Sequence, residues 1–253
     1  MKKINQILQK WPPGTVITSG WLKEQGVYKQ LADSYTDSGW LERIGRGAYK
    51  RKGDDIIWAG GVYALQKLLN LPVHVGGKTA LELQGMGHYI RMSEREQVIL
   101  WKTPDVRLPS WFQDYNWEAQ LAVRSATLFE EDVDAFTTSN MNQIELEVSS
   151  AERAILEYLY DVPKHEGFDE ANYIMEGLPS LRPSVLQRLL VACNSIRVKR
   201  LFMYLAEYHD HSWFKRLDSS EIDFGKGKRE IIKGGKLDNK YQIVVPELSR
   251  EEQ

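Results

Sequence analysis

The chain contains 253 residues, of which 42% are hydrophobic and 27% are charged, and its formal net charge is −2. This composition excludes a disordered or fibrous protein, and no run approaches the roughly 18 apolar residues that a membrane-spanning helix needs. The single Cys193 cannot form an internal disulfide and the N-terminus lacks an apolar signal segment, so we expect a cytoplasmic protein with one or two domains.

Three short helices are predicted at the start of the chain. The first covers residues 2–10 and ends at the segment WPPG, which a helix cannot cross. The second begins near Gly20, where Thr18 or Ser19 can cap it, and ends at Gln25-Gly26. The third covers residues 28–38.

The third helix has a clear buried side. Val27, Leu31 and Tyr35 recur every four residues and should face a small core, to which Trp40 and Leu41 return. Residues 42–44 and 48–50 then alternate as paired strands around Gly45-Arg46-Gly47, a turn whose glycines allow close approach to a phosphate or a minor groove. Two helices followed by such a hairpin predict a winged helix-turn-helix, which places a helix in a DNA major groove.

Charge is distributed unevenly along the chain. Residues 1–53 carry ten Lys or Arg against four Asp or Glu, a net of +6, whereas residues 54–253 carry 23 against 31, a net of −8. A basic segment gains affinity for DNA because it releases counterions condensed on the phosphates. We therefore expect a DNA-binding domain over residues 1–53 and a second, larger mixed α+β domain over residues 54–253, so that the fold class is α+β.

The DNA contacts are expected at the start of the third helix and along the hairpin. Lys29 and Arg46 should anchor phosphates, and Tyr28 and Gln30 should reach base edges. The whole predicted set comprises Tyr28, Lys29, Gln30, Ser34, Arg43, Arg46, Lys50 and Arg51.

Two acids in the third helix conflict with this interpretation. Asp33 and Asp37 are four residues apart and share a helix face, where phosphates would repel them. Either they face the following domain or only the first turn of the helix reaches the bases. An aspartate that accepts a hydrogen bond from a cytosine amino group is a less common alternative.

The second domain is predicted to have strands before helices. Helices are expected at 56–69 and 78–84, strands at 71–75, 88–91, 97–102, 117–129 and 143–148, and further helices from 151 to about 160 and, with breaks at 177–179 and 182–183, from 169 to 208. Ser149-Ser150-Ala151-Glu152 reads as a capping box. The tail alternates like a hairpin over 230–233 and 241–245, with Gly234-Gly235 in the connection.

Two patterns in the second domain suggest chemistry only weakly. Gly77-Lys78-Thr79 lacks the glycine that a phosphate-binding loop needs five residues earlier, where Pro72 stands. His209 and His211 could chelate a metal, but no second cluster of ligands is near in sequence. We therefore predict no catalytic residue, no metal and no cofactor.

A DNA-directed, metal-dependent nuclease is the alternative function. Asp105, followed by Glu145 and Glu147 on one strand, resembles the carboxylate cluster that holds Mg²⁺ in such enzymes. However, Glu147 stands where these sites carry a lysine, and two alternating acids are more often the solvent face of a strand.

Residues 177–206 contain no Asp or Glu. Apolar residues are interleaved with basic ones, which predicts helices with one core face and one basic face for an anionic partner. Chance clustering beside acids of neighbouring segments is an equal alternative. The predicted patch comprises Arg182, Arg188, Arg197, Lys199 and Arg200.

Three ordered blocks of sequence resemble AbiEi antitoxins, from the bacterial abortive-infection systems called type IV toxin–antitoxin systems. The blocks are SGWLERIGRGAY at 38–49, VGGKTALELQGMGHY at 75–89 and VSSAERAILE at 148–157. The acid pair in the third helix departs from the basic character that the resemblance leads us to expect, and the second block suggests no chemical role beyond folding.

The resemblance implies an antitoxin that also represses its own operon. The N-terminal winged helix would bind inverted repeats in the promoter, through Tyr28, Lys29, Gln30, Arg43 and Arg46. The C-terminal domain would counteract a nucleotidyltransferase-like toxin without needing stable contact with it. A direct dock of the basic patch on an acidic toxin is a further possibility, and no membrane partner is expected.

Overall fold

The computed structural model of the chain describes residues 3–86, 96–130 and 133–248. The fold is mixed α+β, as predicted. The chain divides into two compact units: unit one comprises Met1–Val75, Arg91–Ala126 and Thr138–Val148, and unit two comprises Gly76–Ile90, Thr127–Thr137 and Ser149–Gln253. The border that we expected after residue 53 lies inside unit one.

Unit one begins with a winged helix-turn-helix. Helices α1 (Lys3–Lys10), α2 (Ser19–Glu24) and α3 (Lys29–Asp37) accompany strands β1 (Ile17–Thr18), β2 (Leu41–Gly45) and β3 (Ala48–Arg51). The strands form an antiparallel sheet in the order β1–β3–β2. These elements match the predicted helices and hairpin to within about two residues at each end.

Local chemistry explains where these helices begin and end. The Thr18 hydroxyl accepts a hydrogen bond from the Trp21 amide at 3.2 Å, which caps α2. Gly26 (φ +72°) and Gly39 (φ +74°) follow α2 and α3 in the left-handed backbone region, where a side chain would be strained. Both helices therefore end where glycine allows the chain to reverse direction.

A small hydrophobic core holds the winged helix together. Val27 is buried as predicted, whereas Leu31 and Tyr35 are only partly buried at its margin. The prediction for Trp40 is wrong, because its side chain is 45% exposed while Leu41 fills the core. The buried members are Ile7, Trp11, Ile17, Leu22, Val27, Ala32, Leu41 and Tyr49.

The rest of unit one is a sheet with short helices. Its elements are α4 (Trp58–Tyr63) with a π-helical continuation (Ala64–Leu68), β4 (Val73–Val75), β5 (Gln97–Lys102), α6 (Ser110–Asp114), β6 (Gln120–Ser125), β7 (Phe136–Met141) and β8 (Ile144–Ser149). The strand order is β6–β5–β4–β8–β7, with β5 parallel to β6 and antiparallel to β4. The strand predicted at 88–91 lies outside the described residues.

Close backbone packing joins the winged helix to this sheet region. The Val16 amide donates to the Gly60 carbonyl at 3.2 Å, and a Cβ atom on Gly60 would lie 2.0 Å from the carbonyl oxygen of Gly14. A Cβ atom on Gly45 would lie 2.6 Å from Cβ of Trp111 in α6. These contacts explain why no unit border follows residue 53.

Unit two is mainly helical, with a small sheet near its end. The elements are α5 (Gly77–Leu83), α7 (Ala151–Asp161), α8 (Phe168–Glu176), α9 (Pro183–Ala192), α10 (Ile196–Tyr208), β9 (Arg229–Glu230), β10 (Lys236–Asp238) and β11 (Ile243–Val245). The tail prediction is partly wrong: β11 forms its antiparallel hairpin with β10, and it runs parallel to β9.

The capping-box prediction at the start of α7 is also wrong. Ser150 occupies the N-cap position with extended backbone, but its hydroxyl donates to Glu152 at 2.8 Å instead of capping a backbone amide. The Glu152 carboxylate is buried and accepts hydrogen bonds from Arg182. The carboxylate is thus used for a long-range contact that sequence spacing does not reveal.

A buried carboxylate ties together two of the sequence blocks. Glu157 in α7 is fully buried and accepts hydrogen bonds from the Gly77 amide at 3.0 Å, the Ser149 hydroxyl at 2.8 Å and Arg153 Nε at 2.9 Å. A buried carboxylate is tolerated only with such partners. Gly77 from the first of these blocks and Ser149, Arg153 and Glu157 from the second therefore share a structural role in unit two.

Candidate nucleic-acid interface

The start of α3 presents polar and aromatic side chains to solvent. Tyr28 stands at the N-cap with its side chain 61% exposed, and Lys29 and Gln30 are exposed in the first turn. Ser34 is exposed one turn later. All four residues that we predicted on this helix are available to a ligand.

The turn Gly45–Arg46–Gly47, which we call the wing turn, presents one exposed cation. Arg46 is exposed, and Gly47 adopts φ +74°, which explains the glycine at that position. Gly45 also makes room for Trp111, which a side chain at this position would displace.

The wing turn and the start of α3 are brought together by Ser19. The Ser19 amide donates to the Gly47 carbonyl at 2.8 Å. Ser19 also lines a cavity of about 360 Å³ together with Lys23, Tyr28 and Lys29. Lys29 lines this cavity, and Arg46 immediately precedes Gly47, whose carbonyl contacts Ser19; we call the cavity together with the adjoining wing turn the groove.

An ion pair connects Arg43 to α3, the helix predicted to enter the major groove, which we call the recognition helix. Its Nη2 atom donates to Asp33 Oδ1 at 2.8 Å and to the Tyr49 hydroxyl at 3.3 Å, and its Cζ lies 5.4 Å from the centre of the Tyr49 ring. The side chains of Arg43 and Asp33 remain 47% and 42% exposed. Asp33 therefore faces the hairpin of its own domain, and its charge is compensated there.

Lys50 and Arg51 have partners within the fold. Lys50 donates to the Asp54 carbonyl at 3.1 Å, and its side chain is 14% exposed. Arg51 donates to the carbonyl oxygens of Leu8 and Trp11, the last turn of α1 and the residue after it, and its guanidinium lies over the Trp11 ring. These two cations hold the hairpin and α1 in place. They are therefore not among the predicted DNA-binding residues that are free to contact a ligand.

Sequence reasoning missed two residues of the groove. The sequence predicts only a capping role for Ser19 and no role for Lys23, whereas both line the cavity beside α3. Their exposed positions on α2 are the signal that could have identified them, because the helix that precedes a recognition helix also passes close to the DNA backbone.

In unit two the five predicted basic residues do not form one face. Arg197 donates to the carbonyls of Tyr160 and Val162, and Lys199 is only 3% exposed. Arg200 is also 3% exposed and donates to the carbonyls of four residues: Phe224, Gly225, Gly227 and Gln242. Arg197 and Arg200 are therefore used for contacts with backbone carbonyl oxygens of the fold, and Lys199 is buried, so none of the three contributes to an exposed basic face.

The other two members of the predicted patch are more exposed. Arg188 is exposed on α9, whereas the guanidinium of Arg182 forms paired hydrogen bonds with the Glu152 carboxylate at 2.9 and 2.8 Å. Burial opposes ionisation of Glu152, but the hydrogen bonds from Arg182 outweigh it and lower the pKa of this carboxyl to about 2.

This pair predicts a pH-dependent loss of stability. Because the Glu152 pKa is depressed in the folded state, its stabilisation is complete above the ordinary value of 4.5 and declines as the pH falls toward about 2. Arg182→Met should lower the free energy of unfolding at pH 7 by about 2 kcal/mol. Urea titrations at several pH values should show the difference shrinking below pH 4.5. A difference that stays constant down to pH 3 would contradict this role for Arg182.

The carboxylates of the nuclease alternative do not form a cluster. Glu145 and Glu147 are exposed on one face of β8, and Glu145 lies 3.4 Å from Lys67. Asp105 is exposed in the loop after β5. Within residues 3–86, 96–130 and 133–248, no group of three His, Cys, Asp or Glu is arranged to hold a metal. No observation therefore favours the nuclease.

The remaining weak patterns have structural partners. Gly77 donates to Glu157 and Lys78 pairs with Glu170. His209 lies 2.9 Å from Asn172 Oδ1, and His211 lies 2.7 Å from the Met175 carbonyl. In the part of the chain that the structure describes, no helix combines the length and the apolar character that crossing a bilayer requires.

Two family models match the chain, and both describe AbiEi antitoxins. Residues 1–92 match the family described as "Transcriptional regulator, AbiEi antitoxin N-terminal domain", and residues 95–246 match "Transcriptional regulator, AbiEi antitoxin, Type IV TA system". No curated protein gives a significant match. The crystal structure of the RV2827C protein from Mycobacterium tuberculosis is similar with a TM-score of 0.61 and 14% identity, over 95% of this chain and 89% of that one, which shows a shared fold. The two family matches together span nearly the whole chain, which therefore belongs to the AbiEi antitoxin family, the transcriptional regulators of type IV toxin–antitoxin systems.

Proposed function

We propose that this protein represses its own operon by binding inverted repeats in the promoter through the winged helix. The observation that carries the proposal is the groove between α3 and the wing turn, which is flanked by Lys29 and Arg46. Both side chains are exposed, and neither forms an ion pair within the described residues. They can therefore neutralise phosphates without first breaking a contact of the fold.

The bases would be read by the first turn of α3. Tyr28 and Gln30 are the exposed residues there that can form hydrogen bonds or apolar contacts with base edges in a major groove. Arg46 would contact the backbone, or the adjoining minor groove, on the side of the wing. On an inverted repeat, two copies would bind half-sites separated by about one helical turn or a multiple of it.

Arg46→Ala tests the wing. Loss of one phosphate contact should weaken binding to the DNA upstream of the gene and reduce the log–log salt slope by about 0.9. The measurement is a series of binding isotherms at several salt concentrations, with a duplex of equal length and shuffled sequence for comparison. An unchanged slope would show that Arg46 does not contact DNA.

We further propose that unit two counteracts a nucleotidyltransferase-like toxin encoded beside this gene. The support is the family match over residues 95–246, whose description places the protein in a type IV system. The five basic residues predicted to form a patch in this unit are poor candidates for a shared docking face, since Arg188 alone among them is exposed without a described ion pair.

Co-expression separates the two activities. The full-length variant Lys29→Ala/Arg46→Ala should lose repression of a reporter that carries its own promoter, yet still protect cells from the neighbouring gene's product when expressed from an independent promoter. Loss of protection at an unchanged protein level would show that neutralisation depends on DNA binding. A harmless neighbouring product would contradict the toxin proposal and leave the DNA-binding proposal intact.

A further inference from the structure

The ion pair between Asp33 and Arg43 joins the recognition helix to the wing strand β2. Asp33 Oδ1 and the Tyr49 hydroxyl both accept from the same nitrogen, Nη2 of Arg43, at 2.8 and 3.3 Å. The Tyr49 ring lies beneath the guanidinium, with 5.4 Å between Cζ and the ring centre. Arg43 is thus held at three points although its side chain is 47% exposed.

The choice of nitrogen limits what Arg43 can recognise. The two edges of a guanidinium that form paired hydrogen bonds are Nε with Nη2 and Nη1 with Nη2, so both require Nη2. Because Nη2 is occupied, Arg43 can donate single hydrogen bonds from Nε or Nη1 but cannot grip a guanine edge or a phosphate with two parallel bonds. A single, directed contact depends on the position of its acceptor.

The stability of the fold does not explain the pair. Ion pairs between side chains this exposed contribute little to folding. Asp37, one turn later on α3, is exposed and forms no ion pair among the described residues. Two acids therefore share one helix, and the less exposed of them, Asp33, is the one that restrains an arginine.

We propose that Asp33 is a specificity-determining residue, which restrains Arg43 so that this cation does not add to the affinity for arbitrary DNA. The inference rests on the proposed DNA-binding function. In a non-specific complex most phosphates would lie out of reach of the restrained guanidinium of Arg43. On the correct site, Nε or Nη1 would donate one hydrogen bond to an acceptor of the DNA. Asp33 is therefore a positioning residue that lowers non-specific affinity more than specific affinity.

The test compares Asp33→Asn with Asp37→Asn on two duplexes, the DNA upstream of the gene and a shuffled sequence of equal length. Both substitutions remove one negative charge from α3, but only Asp33→Asn weakens the restraint on Arg43, because it replaces the ion pair with at most a neutral hydrogen bond. Asp33→Asn should tighten binding to the shuffled duplex about fivefold and steepen its salt slope by about 0.9, since one phosphate contact is gained. Binding of the Asp33→Asn protein to the upstream DNA should change less than about twofold. The Asp37→Asn protein should bind both duplexes with affinities within about twofold of the wild type.

The same substitution in a protein that lacks Arg43 shows whether this arginine causes the tighter non-specific binding. In the Arg43→Gln protein, Asp33→Asn should no longer tighten binding to the shuffled duplex. Equal effects of Asp33→Asn and Asp37→Asn on both duplexes, or a gain that persists without Arg43, would overturn the inference, because either result indicates bulk charge alone. If the wild-type protein itself does not prefer the upstream DNA, the proposed function fails instead, so the two failures are distinguishable.

Discussion

Reversing the two free charges of the groove, with Lys29→Glu/Arg46→Glu, should weaken operator binding about a hundredfold at physiological salt, equivalent to about 2.7 kcal/mol. Each substitution removes one phosphate contact and adds a repelled carboxylate beside the backbone. The log–log salt slope should fall by about two units, because roughly 0.9 is expected for each lost contact. Fluorescence anisotropy with labelled upstream DNA at several salt concentrations measures both quantities.

A matched control uses a cation on the same domain. Lys52 is exposed beyond the end of β3, at the opposite end of the hairpin from the wing turn, and its only described acidic neighbour is Glu42 at 4.0 Å. Lys52→Glu changes the net charge as much as either single reversal but should reduce affinity only about threefold, through long-range repulsion. Similar losses for Lys52→Glu and Arg46→Glu would mean that DNA responds to overall charge and not to this groove.

Replacing Arg200 by Ala should destabilise unit two more than any surface change. Arg200 is 3% exposed, and its guanidinium donates to carbonyl oxygens of Phe224, Gly225, Gly227 and Gln242, which lie in the loop before β9 and in the residue before β11. The substitution removes all of these hydrogen bonds, although the Gln242 carbonyl keeps the Arg229 amide as a donor, and it opens a cavity. We expect a loss of about 3–5 kcal/mol in the free energy of unfolding and a fall of about 10 °C in thermal midpoint.

Arg188→Ala is the control for Arg200→Ala. Arg188 lies exposed on α9, belongs to the same run of basic residues in the sequence, and should change stability by less than about 0.5 kcal/mol. Chemical denaturation of both variants gives the comparison, and DNA binding by folded Arg200→Ala should be retained at low temperature. Comparable stability of the two variants would show that the carbonyl contacts of Arg200 contribute little.

The winged helix could be predicted from sequence because its signals are local. The Thr18 cap, the glycines after α2 and α3, and the alternation on both sides of the wing turn all act within a few residues. The exposure of Tyr28, Lys29 and Gln30 followed from the periodicity of α3, and that of Arg46 from its position in a glycine turn. These features need no knowledge of the rest of the chain.

What sequence could not provide depends on contacts between distant residues. The packing of Gly45 on Trp111 and of Gly60 on Gly14 merges the winged helix with the sheet region, and no local pattern signals either contact. The same holds for charges: Arg51 and Arg200 look like solvent-facing cations in the sequence, but each is used to satisfy carbonyl oxygens far along the chain. A count of basic residues therefore overestimates the cations that are free to bind DNA.

The acid pair in α3 is a further example of contacts that the sequence does not reveal. From sequence, Asp33 and Asp37 are equivalent acids that should repel phosphates. In the structure only Asp33 reaches a cation, Arg43, ten residues later in the chain. Pairing across two elements depends on how the hairpin packs against α3, and sequence periodicity does not provide that geometry.

Tethered cleavage tests the placement of the wing turn on DNA most directly. An iron chelate attached to Cys at position 46, introduced by Arg46→Cys, generates radicals that cut DNA within reach of the turn. The native Cys193 should not compete for the label, because it is buried and burial raises its pKa to about 11. Cuts confined to two symmetrical positions within the upstream inverted repeat, with far weaker cutting from a chelate at position 52, are the expected result. Equal cutting from both positions, or none from position 46 on DNA that the labelled protein still binds, would show that the groove between α3 and the wing turn is not the DNA-binding surface.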